Sequence, residues 1–157
     1  MDFDDFTGQV QNRLELPGTG EALTATRAVL TTLGERVPEG EATNTAGPLP
    51  REIDRFLIEA DHGQRFDFQE FVARVAEREG SLVGEDAGGA GADAAFHARA
   101  IVALLDEIVP GSQMDELRDA LPEDEGWETL FELVDAEEVP WERPENTPAE
   151  TEQAEGE

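Results

Sequence analysis

Residues 2–57 of the chain recur, altered, at residues 67–131, and this internal repeat limits the possible folds more than any other feature. Asp2-Phe3-Asp4-Asp5-Phe6 returns 65 positions on as Asp67-Phe68-Gln69-Glu70-Phe71. Arg27-Ala28-Val29-Leu30, followed by Leu33 and Val37-Pro38, returns 72 positions on as Arg99-Ala100-Ile101-Val102, followed by Leu105 and Val109-Pro110. Leu49-Pro50 returns as Leu121-Pro122 at the same offset of 72. The seven extra residues fit the Gly/Ala stretch Gly84–Ala92, which is expected to be a flexible linker. A unit of about sixty residues buries only about 60% of the surface its unfolded chain exposes, which leaves it marginal alone. The two copies are therefore expected to share one core.

The apolar spacing within each copy is helical. Asp67 is the expected N-cap of a first helix, with Glu70 completing a capping box and Phe66 and Phe71 forming a staple across the cap. Met1 and Phe6 offer the same staple in copy one. Phe3, Phe6, Val10 and Leu14 form one stripe, as do Phe68, Phe71, Val72 and Val75. Pro17-Gly18 and Gly80 are expected to end these helices. A long second helix is predicted over Gly20–Val37 and again over Asp93–Val109, each stopped by proline, Pro38 and Pro110. Leu23, Thr26, Leu30, Leu33 and Val37 share one face, and Ala95, Ala98, Val102, Leu105 and Val109 share its counterpart. A short third helix is expected at Ser112–Ala120, capped by Ser112 and burying Met114, Leu117 and Leu121; its counterpart Glu41–Gly47 is polar and ends in Gly47-Pro48. Pro50 and Pro122 suit the first turn of a fourth helix. Those helices present Ile53, Phe56 and Leu57, and Trp127, Leu130, Phe131 and Val134.

No run of alternating β-branched residues argues for a strand. The expected architecture is all-α: a helical domain over 1–134, built from two tandem four-helix-type repeats, copy one about 1–60 and copy two about 66–134. Residues 135–157 hold nine acids, one Arg and three prolines, and are expected to form a disordered acidic tail.

The formal net charge is −27, from 38 acids against 11 bases, and every base is Arg. A chain this acidic is often disordered, but the two copies carry Phe, Leu, Ile and Val at core spacing. The better expectation is a folded protein in a salt-rich cytoplasm. At 1 M salt the Debye length is about 3 Å, so self-repulsion is screened. The surplus of carboxylates then reports the solvent. Nucleic-acid binding needs a basic patch, and the eleven Arg are scattered. The longest apolar run, Ala100–Leu105, is far too short for a membrane span. Cysteine is absent, which removes disulfides, thiolate nucleophiles and Cys-ligated metals. The acidic start Met1-Asp2-Phe3-Asp4-Asp5 is the opposite of a signal peptide's basic one.

Phe68-x-x-Phe71-x-x-Arg74-Val75-Ala76-Glu77-Arg78-Glu79-Gly80, the paired Arg27 and Arg99 segments and the two Leu-Pro pairs together resemble the domain-of-unknown-function family numbered 2267. The resemblance covers about residues 1–134 and departs at Gln11-Asn12 and Thr45-Ala46-Gly47-Pro48. It implies an all-helical repeat domain, here a halophilic member, and carries no catalytic residues.

The motifs that could carry chemistry have plainer readings. Gly89-Ala90-Gly91-Ala92-Asp93-Ala94 loosely matches a dinucleotide fingerprint, but no strand precedes it and Glu85, Asp86 and Asp93 would repel a pyrophosphate. Asp2, Asp4 and Asp5 fail the calcium-loop template, because Phe6 stands where a ligand oxygen belongs; helix capping explains them. His62, in the linker between copies, and His97, on the edge of the long helix's apolar face, lack a spaced partner and are expected to be solvated or packing residues. Arg27 and Arg99 hold the same phase in the two long helices. They are expected to be a structural pair with stems over apolar surface, with an anion contact as the functional alternative. No catalytic, cofactor-binding or metal site is expected. The function expected is a non-enzymatic interaction or assembly module that binds another protein or itself. A small-molecule sensor with a pocket between the copies, and a carboxylate- or metal-dependent enzyme, are the alternatives.

Overall fold

The computed structural model describes residues 1–80 and 87–135, and among these every regular element is a helix. The expected tail beyond Asp135 and part of the Gly84–Ala92 stretch, residues 84–86, lie outside the described residues. In chain order the helices are α1 (Phe3–Leu14), α2 (Thr19–Arg36), α3 (Glu39–Ala46), α4 (Arg51–Ile58), α5 (Phe68–Glu79), α6 (Ala87–Ile108), α7 (Gly111–Asp119) and α8 (Glu125–Asp135).

Local chemistry accounts for most of the helix ends. The Asp2 and Asp67 side chains accept the amides of Asp5 and Glu70 at 2.8 and 2.9 Å, so α1 and α5 begin with a carboxylate on their orphan N–H groups. At the far end of α1, Leu16 N–H reaches Gln11 O and Glu15 N–H reaches Asn12 O. This Schellman-type closure forces Glu15 into the left-handed region at φ 55°. The helix therefore ends before Pro17-Gly18, through a residue that the sequence pattern did not mark. Gly80, at φ 55°, ends α5. Val37 and Val109, each preceding a proline, close α2 and α6.

Several boundaries differ from expectation. The backbone of α6 is helical from Ala87, so Gly89–Ala92 is helix and not a flexible linker. Alanine's high propensity, and docking of the following turns, outweigh the three glycines at 88, 89 and 91. α7 begins at Gly111 after Pro110, and Ser112 lies inside its first turn instead of capping it. Pro50 stands immediately before α4. Pro122, by contrast, precedes α8 by three residues, because the Asp124 side chain accepts Gly126 N–H at 2.8 Å and sets the start there. The Met1 half of the expected staple is absent: Met1 is 51% exposed.

The two long helices run through the centre. α2 packs against α1, α4, α5 and α6, while α6 packs against α1, α2, α5 and α8; α3 joins α4 and α7. Ala22, Ala25 and Ala28 on α2, and Ala94, Ala98 and Ala100 on α6, are buried and let neighbouring helices approach closely. Gly34 is required at one such approach, since a Cβ there would lie 2.8 Å from Ala60 Cβ and 2.9 Å from Leu57 O. Leu33 and Leu105 are both buried, in one core cluster that draws residues from all eight helices. Phe68, Phe71, Trp127 and Phe131 form an aromatic seam between α5 and α8, with Phe71 and Trp127 centroids 4.7 Å apart.

Candidate functional site

Helix α5 makes polar contacts with buried groups on two sides. Toward α2, Arg78 grips Glu35 with both arms of its guanidinium, at 2.7 and 2.9 Å, and donates to Thr32 Oγ1 at 2.8 Å. Arg74 reaches the same carboxylate at 3.0 Å, and it also donates to Glu70 and to Gln64. The Arg74 guanidinium lies 4.0 Å from the centre of the Phe66 ring. Burial alone would push the Glu35 carboxyl up. The hydrogen bonds from Arg78 and Arg74, and then their charges, outweigh it and hold the group below the usual carboxylate range. Glu35 is thus an ionised anchor between α2 and α5, gripped in a fork that only Arg supplies.

Toward α6, Glu79 Oε2 meets His97 Nδ1 at 2.5 Å. Their side chains are 0% and 1% exposed. The partner atoms Glu79 Oε1 and His97 Nε2 have no hydrogen bond among the described residues. Burial drives Glu79 upward, opposed by the hydrogen bond and charge of His97 and assisted by Asp93. A carboxyl–imidazole pair of this kind can exchange a proton internally. Enclosure keeps a substrate atom from Nε2 in this conformation.

Two further ion pairs tie helices together. Arg13 on α1 holds Glu107 on α6 with Nη2 at 2.9 and 3.1 Å from the two carboxylate oxygens. Arg118 on α7 forks onto Asp135 of α8 at 2.7 and 2.9 Å and sits 4.5 Å from the Phe131 ring centre. The hydrogen bonds and charge of Arg118 outweigh burial and hold Asp135 below its usual range. Asp135, expected to open the tail, is therefore the last residue of a docked helix.

His62 is a structural residue. Gly34 O in α2 would bond the amide of residue 38, but Pro38 has none. His62 Nδ1 lies 3.0 Å from that carbonyl, and Nε2 lies 2.9 Å from Ile58 O at the end of α4. Neighbouring backbone completes the closure, with Gly63 N–H on Val37 O and Gln64 N–H on Glu35 O. Arg36 Nε donates to Phe66 O.

Arg27 and Arg99 occupy different surroundings. Arg27 is exposed and lines an open groove with Thr31, Arg55, Phe56, Glu59 and Ala60. Arg99 is part-buried, its guanidinium 5.5 Å from the Phe96 ring centre; burial lowers its pKa. Other open grooves lie between the starts of α1 and α4, at Phe3 and Arg51, and between α7 and α8, at Leu121 and Trp127. Among the described residues, no group of three or more His, Asp or Glu could hold a metal ion, and no helix is long and apolar enough to cross a membrane.

Residues 3–127 match the family model described as an uncharacterized conserved protein, DUF2267. The chain belongs to this family. The match runs from the first residue of α1 into α8, ending at Trp127 in the aromatic seam. It spans residues 68–80, the Arg27 and Arg99 segments and both Leu-Pro pairs. No curated protein matches the chain.

Proposed function

We propose that this DUF2267 chain is a non-enzymatic helical interaction module, made of two four-helix copies that share one core and adapted to a salt-rich cytoplasm. The observation that carries the reading is how its inter-helix polar contacts map onto each other. Arg13 binds Glu107, and Arg78 binds Glu35. Arg78 is Arg13 moved by 65, and Glu107 is Glu35 moved by 72, the same two offsets that relate the first and second helices in sequence. The first helix of each copy is thus held on the long helix of the other. Gln113 is Glu41 moved by 72, and these two residues bond to each other at 3.1 Å. Self-contact between equivalent residues is the signature of a two-fold axis. The charges that could equip a catalytic site are in this way committed to joining the halves. The 38 acids and absent Lys support the salt-rich setting.

The test uses the intact chain in 2 M KCl. Light scattering after size exclusion, together with saturable capture from a salt-rich extract, should show self-association or a defined partner. Ile58→Asp and Leu133→Asp alter two apolar side chains that are 41% and 36% exposed. At least one should weaken that association without changing the melt. A substrate turned over by the wild type, and lost in a folded Glu35→Gln or His97→Gln variant, would overturn the reading in favour of an enzyme.

A further inference from the structure

Buried side-chain polar atoms are nearly always satisfied, and an exception calls for a reason. Glu79 and His97 satisfy one atom each through their mutual bond and leave Oε1 and Nε2 without a partner among the described residues. The two-copy register sharpens the point. Moved back by 65 and 72, Glu79 and His97 fall on Leu14 and Ala25, which are both buried. The core can therefore be completed at this place by two apolar residues, and replacing a buried polar pair with apolar groups is often neutral or stabilising. Fold stability alone does not call for the pair.

We propose that Glu79 and His97 form a proton-operated latch between the last turn of α5 and α6. Closed, the enclosed pair holds one proton in total, shared across the 2.5 Å contact. Losing it would leave an uncompensated carboxylate in the core beside Asp93, and adding a second would leave an uncompensated imidazolium. Among the described residues, charges on the neighbouring helices are engaged elsewhere or exposed. Glu35 on α2 is already occupied by Arg74 and Arg78; Arg99 on α6 lies over Phe96. Glu70 and Glu77 on α5, and Glu125, Glu128, Glu132 and Asp135 on α8, are exposed.

The sign follows from counting protons. Opened to water, an imidazole releases its proton near pH 6.5. The closed geometry requires that proton, because a carboxylate oxygen and an imidazole nitrogen 2.5 Å apart hold together only with a proton between them. Above about pH 6.5 the open state therefore binds one proton fewer than the closed state. Opening then becomes up to about tenfold more favourable for each pH unit, until the closed pair also lets go. The latch is tight in mildly acidic solution and loosens as pH rises. The two-copy reading supplies the comparison with Leu14 and Ala25 and the choice of control residues; the direction of the pH dependence does not rest on it.

Amide hydrogen exchange of the intact chain, in 2 M KCl from pH 5.5 to 8.5 and corrected for intrinsic exchange, tests the proposal. Protection of residues 76–79 and 94–98 should fall steeply above pH 6.5, while α3 and α7 stay level. The double variant Glu79→Leu with His97→Ala should abolish the slope. Glu79→Gln, which keeps the shape but carries no titrating proton at that position, should flatten it if the double variant fails to fold. A wild-type profile that is flat, or one that keeps its slope in whichever variant folds, would overturn the latch. Loss of the pH slope with association intact would separate its failure from that of the interaction reading.

Discussion

Gly8→Ala and Gly34→Ala make the same chemical change inside two helices and should move stability in opposite directions. At Gly8, on the exposed face of α1, nothing lies within 4 Å of an added Cβ. Alanine gains about 1 kcal/mol of helix propensity there. At Gly34 the same gain applies, but the new methyl would meet Leu57 O at 2.9 Å, backbone that cannot rotate aside, and Ala60 Cβ at 2.8 Å. Forcing a methyl into a filled site costs about 1–3 kcal/mol. The strain also acts on the carbonyl that receives the His62 ring, a hydrogen bond contributing about 0.5–1.5 kcal/mol. The net for Gly34→Ala is a loss of about 1–3 kcal/mol. At about 2–4 °C per kcal/mol for a chain of this size, that lowers Tm by about 2–12 °C, while Gly8→Ala raises it by about 2–4 °C. Calorimetry of both variants in 2 M KCl checks the pair. An unchanged or higher Tm for Gly34→Ala would refute the close approach of α2 and α4.

Two further outcomes follow from the charges. Glu35→Gln keeps the shape of the clamp and removes its charge, costing about 1–3 kcal/mol because Arg74 and Arg78 regain water only in part. Because the folded Glu35 carboxyl is held down, its contribution is fully present above the ordinary value of 4.5 and is lost as pH falls through the folded value; urea titrations should show the wild-type advantage shrinking below pH 4.5. Raising KCl from 0.1 to 2 M should increase Tm, because screening relieves repulsion among 38 acids. A Tm independent of salt would contradict the halophilic reading.

Helix identity was legible in the sequence wherever a local rule was enough. Apolar spacing marked α1, α2, α5 and α8. Asp2 and Asp67 announced their caps, and Pro38 and Pro110 announced the stops. Met114, Leu117 and Leu121 are buried as expected. What escaped was non-local. Glu35 reads as one more surface acid until Arg74 and Arg78 arrive from a helix some forty residues on. The signal that could have found the clamp was the recurrence of Arg13 as Arg78 and Glu35 as Glu107, each at its own helix's offset. His97, expected to be a solvated or packing residue, is buried, and its bond to Glu79 on another helix has no signal in the spacing of α6 alone. The clue lay in the offsets of 65 and 72, at which Glu79 and His97 fall on Leu14 and Ala25. α6 starts at Ala87, ahead of the expected Asp93: the glycine content suggests a linker, while the alanines around it favour helix.

The shared core is the central claim, and Leu33→Ala tests it most directly. Leu33 is 1% exposed in the cluster common to α1 through α8, and truncating such a leucine costs about 2–5 kcal/mol. The measurement is a thermal melt in 2 M KCl followed at once by calorimetry and by assigned amide signals from α1–α4 and α5–α8. The account predicts one transition, displaced to lower temperature, in which both sets of signals disappear together. Two separated transitions, with the α1–α4 signals lost first and the α5–α8 signals persisting, would show independent halves and contradict it.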